Sequence, residues 1–223
     1  MDMLKRIDEL AFKGTTTVGA ICREGIILAS DTRVIMGSLI VHKKGKKVYK
    51  IDDHLAMTIS GVVADAQKTV AALKANARMY RLQRKIPMPV SAAARLVANL
   101  FFSYRLFPLI AQIIIGGIDS SGPHLFSIDP FGSITEEKYV ATGSGSPVAY
   151  GVLEEKFKED MALGEALPIV TQALRSAMKR DVATGDNLDI VIIDKKGYIR
   201  HIHVGITPTS SLIQEILSLL NRG

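Results

Sequence analysis

The spacing of apolar and polar residues changes several times along the chain, and the changes divide it into blocks. Residues 62–84 contain no Gly or Pro and are rich in Ala, Leu, Lys and Arg, so we predict one long helix there. The block before it holds short apolar or β-branched runs separated by turn residues, a pattern typical of strands. The predicted strands are 15–22, 25–31, 38–42, 47–51 and 55–60.

The rest of the chain continues this alternation of helical and strand blocks. A helix is predicted from Ser91, whose hydroxyl can cap its first turn, to Phe107, just before Pro108. The last segment, 210–223, has the spacing of a short amphipathic helix. Between these lie predicted strands at 109–119, 124–129 and 133–143, helices at 148–160 and 163–181, and strands at 188–194 and 197–204.

The order of the predicted elements indicates a fold class. Helices that are grouped, rather than alternating with single strands, favour antiparallel sheets with helices outside them. Two blocks of strands with helices between them allow two stacked sheets, each covered by a helical layer. We therefore expect an α+β fold, a four-layer αββα sandwich in one domain.

Composition and charge exclude several classes of protein. No run reaches the ~18 uncharged apolar residues that a membrane helix needs. The single cysteine, Cys22, excludes an internal disulfide and fits a reducing cytoplasm. The net charge of +6 would suit a nucleic-acid partner, but the basic residues are spread along the chain without a recognition signature. The five His and one Cys show no metal-ligand spacing and no phosphate-binding loop occurs, so no metal or cofactor is expected.

One short stretch carries candidate chemistry. Gly14 precedes three threonines that open the first predicted strand, and β-branched residues favour strands without any further role. The alternative is that the chain is cut after Gly14, which would make Thr15 a new N-terminus. Such a threonine has a nucleophilic hydroxyl and, in its own α-amine, the base that accepts the proton.

An N-terminal threonine would need other groups beside it. A lysine would favour the neutral amine and stabilise developing negative charge, and a buried lysine needs a carboxylate partner. Lys47 and Asp31 stand at the ends of predicted elements, and the GSGS turn at 143–146 offers hydroxyls. Sequence spacing does not bring these groups together, and each also fits an ordinary surface position.

Ten motifs then occur in a fixed order along residues 15–200. They are TTTVG at 15–19, SDTR at 30–33, GKKVYKID at 45–52, MTISG at 57–61, DAQ at 65–67, YRLQR at 80–84, GGID at 116–119, HLFSID at 124–129, ATGSGSPVAYGVLE at 141–154 and KRD at 179–181. With this ordered set the sequence resembles proteasome β-subunits of the archaeal type. The resemblance implies the αββα sandwich of the N-terminal nucleophile hydrolases and the activity of a threonine protease.

The resemblance also implies how the chain matures and which residues react. Residues 1–14 would be a propeptide that the chain removes by cutting itself between Gly14 and Thr15, and residues 15–223 would form a single β-type domain. Thr15 would be the nucleophile, Lys47 the active-site lysine and Asp31 its acidic partner. The backbone N–H of Gly61 would form the oxyanion hole.

Four further residues match family positions around the nucleophile. Ser144 corresponds to the serine near the threonine, and Asp181 to the aspartate that orients the site. Thr184 stands where the family usually has a second serine, and its added methyl would crowd Thr15. Arg33 corresponds to a structural arginine.

By the same resemblance, five residues would line the primary substrate pocket and favour cleavage after hydrophobic residues. Core packing alone would also explain the apolar ones. They are Val34, Gly45, Tyr49, Ile59 and Val63.

The expected partners also follow from the family. β-Subunits form rings of seven, two of which stack between rings of a separate α-subunit, and unfolded polypeptides reach them through a regulatory ATPase. Neither a membrane nor a nucleic acid is an expected partner. Five apolar residues of the tail would serve a ring interface or pack on their own domain: Leu212, Ile213, Ile216, Leu217 and Leu220.

Two other assignments stay open. A ring subunit that keeps the fold without cleaving anything is disfavoured because Gly14, Thr15 and their expected partners are all present. A bacterial-type ring without α-subunits is disfavoured by the YRLQR and ATGSGSP motifs at 80–84 and 141–147.

Overall fold

The computed structural model describes residues 14–37, 39–194, 197, 199–205, 214 and 218. Most of the predicted propeptide and the five apolar tail residues lie outside this part. Within it, twelve strands and four helices follow each other as strands, two helices, strands, two helices and strands.

The first sheet is built around its two earliest strands, β1 (Thr16–Ile21) and β2 (Gly25–Asp31). Adjacent strands in this sheet are antiparallel. Both β1 and β2 are buried along nearly their whole length, because both faces of the sheet are covered. Its strands run in the order β10 (Tyr139–Gly143), β1, β2, β11 (Leu188–Asp194) and β12 (Ile199–Val204).

The second sheet is an antiparallel meander in chain order. It consists of β5 (Val48–Asp52), β6 (Leu55–Gly61), β7 (Ala111–Asp119), β8 (Gly122–Ile128) and β9 (Ile134–Glu136). A separate hairpin of β3 (Val34–Met36) and β4 (Leu39–His42) stands between the two sheets in the sequence.

Three apolar clusters hold four layers together. Ile26 and Leu28 from the first sheet meet Ile114 and Leu125 from the second in a fully buried core. The helices α3 (Ser146–Lys156) and α4 (Leu163–Arg180) cover the outer face of the first sheet. The helices α1 (Val63–Arg84) and α2 (Val90–Ser103) cover the second. The predicted αββα sandwich is therefore confirmed.

The predicted strand at 133–143 is wrong as a single element. β9 ends at Glu136 in the second sheet and β10 begins at Tyr139 in the first. The N–H of Glu137 donates to the Leu125 carbonyl at 2.9 Å, whereas the Lys138 carbonyl accepts from Ile21 of the first sheet at 2.8 Å. Two consecutive residues thus bond to opposite sheets. Both halves have strand spacing, so the apolar pattern cannot reveal the crossing.

The second helix also begins and ends differently from the prediction. Ser91 is not its cap, because the helix already begins at Val90, whose N–H donates to the Asp119 side chain at 2.9 Å. It ends at Ser103 rather than Phe107, since the chain then turns.

Two smaller differences lie elsewhere. α3 covers Ser146–Lys156 instead of 148–160, and the strand β3 was not predicted. Among the described residues, no helix combines the length and the apolar character needed to cross a membrane.

The core between the sheets is expected to dominate stability. Ile114→Ala removes fully buried atoms from it and should lower the free energy of unfolding by about 2–5 kcal/mol. Leu82→Ala, on the exposed face of α1, is the control and should change it by no more than about 0.5 kcal/mol. Urea unfolding of the free chain measures both values, and equal losses would contradict this assignment of the core.

Candidate active site

Thr15 lies immediately before β1, at the point where Thr16 pairs with Gly143 of β10. It is only 4% exposed. Its hydroxyl is in contact with the carbonyl oxygen of Gly14, the residue before it. The hydroxyl therefore faces the peptide bond at which the sequence predicts cleavage.

The Asp31 carboxylate is the most highly connected polar group near Thr15. Asp31 ends β2 and is completely buried. Its Oδ1 accepts hydrogen bonds from the Lys47 ammonium at 2.8 Å and from the Thr16 N–H at 2.9 Å. Its Oδ2 accepts the N–H groups of Arg33 and Gly185, both at 3.0 Å. Four donors from four parts of the chain compensate for removing this charge from water.

Lys47 stands between the basic turn and β5, and it is 7% exposed. Burial lowers its pKa below the ordinary 10.5, because water no longer solvates the ammonium. The Asp31 carboxylate and its hydrogen bond oppose this by raising the pKa, as does Asp181, whereas Arg33 lowers it further.

A second polar cluster joins the other predicted residues. Ser144, just after β10, donates its hydroxyl to Asp181 Oδ2 at 2.5 Å and accepts a long hydrogen bond from the Thr15 N–H at 3.5 Å. Thr184 donates to the same Asp181 oxygen at 2.5 Å. Asp181 follows α4 directly, so the end of that helix places the carboxylate on the Ser144 hydroxyl, which connects it to Thr15.

Thr16 was not predicted as a site residue, yet it links the two clusters. Its N–H binds Asp31, and its hydroxyl lies 2.7 Å from the Thr184 hydroxyl. A Cβ at Gly145 would lie 2.2 Å from that Thr16 hydroxyl, so the glycine leaves room for the contact. The only signal in the sequence is the strand alternation, which turns Thr16 away from Thr15.

Thr17 takes part in a third polar group, between the sheets. Its hydroxyl lies 2.7 Å from that of Thr142 on β10 and accepts from Thr58 of β6 at 3.0 Å. Ser60, also on β6, donates to Thr142 at 3.1 Å. All four residues are buried, and their hydroxyls connect the first sheet to the second.

Arg33 lies at the edge of the site. Its Nε binds Asp186 Oδ2 at 3.0 Å, and its Nη1 donates to the Val182 carbonyl at 2.8 Å. It thereby holds the loop that follows α4, in which Thr184 and Gly185 are located.

A cavity of about 290 Å³ opens beside Thr15. Four of the five predicted pocket residues line it, and so does Gly61, which was predicted for the oxyanion hole. The complete lining is Gly14, Thr15, Arg33, Val34, Ile35, Met36, Gly37, Lys46, Lys47, Tyr49, Ile59, Gly61, Val62, Val63 and Ala66.

Gly45, the fifth predicted pocket residue, does not line this cavity. It lies behind Val34, and a Cβ there would come within 2.2 Å of Val34 Cγ2. Its effect on the cavity is therefore indirect, through the position of Val34. The missing signal is the hairpin β3–β4, which the apolar pattern did not reveal.

No group of three or more His, Cys, Asp or Glu side chains is placed to hold a metal ion in the described ranges. Besides Lys46, which lines the cavity, the described charged groups of the site are those of Asp31, Lys47, Arg33 and Asp181, and hydrogen bonds or ion pairs hold these four.

The family profile described as "Proteasome subunit" matches residues 11–193. The chain belongs to the proteasome subunit family. It is 47% identical over 154 residues to a proteasome subunit beta of Methanothermobacter thermautotrophicus, which covers 69% of this chain and 73% of that protein. It is 54% identical over 153 residues to a proteasome subunit beta of Methanocaldococcus vulcanius, covering 68% and 69%. The similarity to proteasome β-subunits of archaea is thus confirmed.

Lys47 is expected to make the stability of this proteasome-family chain depend on pH. Its pKa is lowered by folding, so the folded chain binds fewer protons than the unfolded chain between the folded pKa and 10.5, and the contribution of Lys47 to stability rises with pH there. The free energy of unfolding of the wild type minus that of Lys47→Met should increase as the pH rises toward 10.5. Lys44→Met, an exposed lysine of the same turn, should give a flat difference. A falling Lys47 difference would contradict the lowered pKa.

The Thr184 hydroxyl is expected to matter more than the Thr184 methyl group. Thr184→Val keeps the size of this buried side chain but removes one donor from the partly buried Asp181 and the partner of the Thr16 hydroxyl, which should cost about 1–3 kcal/mol of stability. Thr184→Ser keeps both hydrogen bonds and should cost less. Denaturant midpoints compare the two, and a larger loss for the serine variant would show that packing of the methyl dominates.

Proposed function

We propose that this chain is a catalytic β-subunit of the 20S proteasome core particle, with Thr15 as its N-terminal nucleophile. The observation that carries the proposal is the position of the Thr15 hydroxyl. It faces the Gly14 carbonyl, beside the buried Lys47–Asp31 pair and the Ser144–Asp181 hydrogen bond. A nucleophile, a cation and a hydrogen-bonded relay are the parts that acyl transfer by a hydroxyl requires.

Maturation is proposed to begin with self-cleavage. The Thr15 Oγ attacks the Gly14 carbonyl carbon, the bond from that carbon to the Thr15 nitrogen breaks, and the hydroxyl proton ends on this nitrogen. The product is an ester between Gly14 and the Thr15 side chain. Water then hydrolyses the ester, which releases residues 1–14 as a propeptide with a free carboxyl group and leaves residues 15–223 as the mature domain.

The freed α-amine then serves as the base in peptide hydrolysis. It accepts the proton of the Thr15 hydroxyl as this attacks the substrate carbonyl, and passes a proton to the amine that leaves. The N–H of Thr15 already points to Ser144, whose hydroxyl binds Asp181, so these two residues would orient the new amine. Water completes the cycle by hydrolysing the acyl ester.

Lys47 and Gly61 are proposed to stabilise negative charge. Lys47 lines the cavity with Thr15 and is fixed by Asp31, so its ammonium favours the ionised hydroxyl and the neutral amine. Gly61 also lines the cavity, has φ +124°, and a Cβ there would lie 2.2 Å from the Ile110 carbonyl oxygen. Only glycine fits this approach, and its N–H is the proposed oxyanion donor.

The proposed substrates are unfolded polypeptides that are cut after hydrophobic residues. Val34, Tyr49, Ile59 and Val63 line the cavity, which supports an apolar side chain there. No acidic residue belongs to the lining among the described residues.

We further propose assembly into heptameric rings stacked with α-subunit rings, served by a regulatory ATPase in the cytoplasm. Large apolar side chains that are exposed on the single chain support burial against other subunits. Examples near the end of α2 are Phe102, Leu106, Phe107 and Phe131.

The intact mass of the chain before and after assembly with an α-ring tests the function. We expect loss of residues 1–14 and hydrolysis of a peptide with a hydrophobic residue before the cut bond. Thr15→Ala should stop both without preventing folding, because it removes the nucleophilic hydroxyl and one methyl group and leaves the backbone unchanged. Thr15→Ser, which keeps the hydroxyl, is the matched control. A full-length mass of the wild type in assembled particles would instead favour a ring subunit that does not cleave.

A further inference from the structure

Gly14 occupies a space that one neighbouring side chain limits. Its φ of +87° lies in the region that favours glycine. In addition, a Cβ at position 14 would lie 2.5 Å from Cγ1 and 3.0 Å from Cδ1 of Ile35. The next neighbour, Ala183 Cβ, would be at an ordinary 3.7 Å. Ile35 therefore sets the steric limit on this side of the residue before the cut.

Ile35 is well placed to act on this residue and on the nucleophile. It is the middle residue of the three-residue strand β3, pairs with Ile40, and lines the cavity together with Gly14 and Thr15. The pairing register shifts between Val34 and Ile35, and such irregularities change the direction of a side chain. A β-branched side chain is also stiff at χ1, so Ile35 does not easily turn aside.

We propose that Ile35 is a positioning residue for self-cleavage. Its side chain packs against the Cα of Gly14, keeps the Gly14 carbonyl against the Thr15 hydroxyl, and excludes any side chain at position 14. Holding two reacting groups in contact raises the rate of their reaction, and a small displacement lowers it steeply. The inference rests on the proposed function, because it concerns the cleavage that produces the N-terminal threonine.

The requirement for glycine then has two separable causes. The positive φ strains any other residue at position 14, whatever its surroundings. The overlap with Ile35 adds a second penalty, which a smaller residue at position 35 relieves. A substitution at Ile35 should therefore restore part, but not all, of the cleavage that a substitution at Gly14 removes.

The test measures the rate of self-cleavage by intact mass after the full-length chain is assembled with an α-ring. We expect Gly14→Ala to slow cleavage by about 100-fold. Adding Ile35→Ala to the Gly14→Ala chain should raise the cleavage rate again by about tenfold. Ile35→Val is the milder change. The cleavage rate of Gly14→Ala with Ile35→Val should therefore lie between that of Gly14→Ala alone and that of Gly14→Ala with Ile35→Ala. With Gly14 unchanged, Ile35→Ala should slow cleavage by about fivefold because the carbonyl is held less firmly.

Ile40→Ala is the matched control, since Ile40 is the cross-strand partner of Ile35 in the same hairpin and does not line the cavity. It should not recover cleavage of the Gly14→Ala chain. Recovery by Ile40→Ala as large as that by Ile35→Ala, or no recovery by either Ile35 variant, would overturn the role of Ile35. A wild-type chain that stays full length would instead overturn the proposed function itself.

Discussion

The buried carboxylate of Asp31 is the interaction on which the site depends. It ties together the start of β1 through Thr16, the segment that follows β2 through Arg33, the basic turn through Lys47 and the loop after α4 through Gly185. Arg33 is a local donor two residues from Asp31, whereas Thr16, Lys47 and Gly185 come from three other parts of the fold. A buried charge with one donor missing is costly, so each donor is held in place by the need to satisfy the same group. The hydrogen bonds to Asp31 thereby connect the site to four segments of the fold.

The three consecutive threonines show how one strand serves several needs. Strand alternation sends neighbouring side chains to opposite faces of the sheet. The hydroxyl of Thr15 lies against Gly14, that of Thr16 joins Thr184 on the helix-covered side, and that of Thr17 reaches the second sheet. The three threonines are therefore explained by strand formation and by the separate contacts of their hydroxyl groups together.

Much of this arrangement could be predicted from the sequence, and the reasons for the exceptions are physical. The layers follow from grouped helices and apolar strands, and the motifs point to Thr15, Asp31 and Lys47. The crossing at Glu137 and Lys138 could not be predicted, because apolar spacing does not say which sheet a strand joins. Contacts made by backbone groups were missed for a similar reason.

Thr16 and Gly185 illustrate that second kind of omission. Both bind Asp31 through backbone N–H groups, which every residue except proline possesses. The residue type therefore does not reveal that these positions bind Asp31. Gly45 shows the converse case, in which a glycine acts through a neighbour. Its missing side chain makes room for Val34, which is one of the residues that line the cavity.

The hydroxyl contacts between the sheets have a mechanical consequence. Apolar surfaces attract without regard to direction and let two layers slide past each other, whereas hydrogen bonds are directional and resist shear. Thr58 and Ser60, which bond to Thr17 and Thr142, flank Ile59 in the cavity wall. The hydrogen bonds that align one sheet with the other therefore also set the distance between Thr15 and the cavity wall. A substrate side chain must fit into this space.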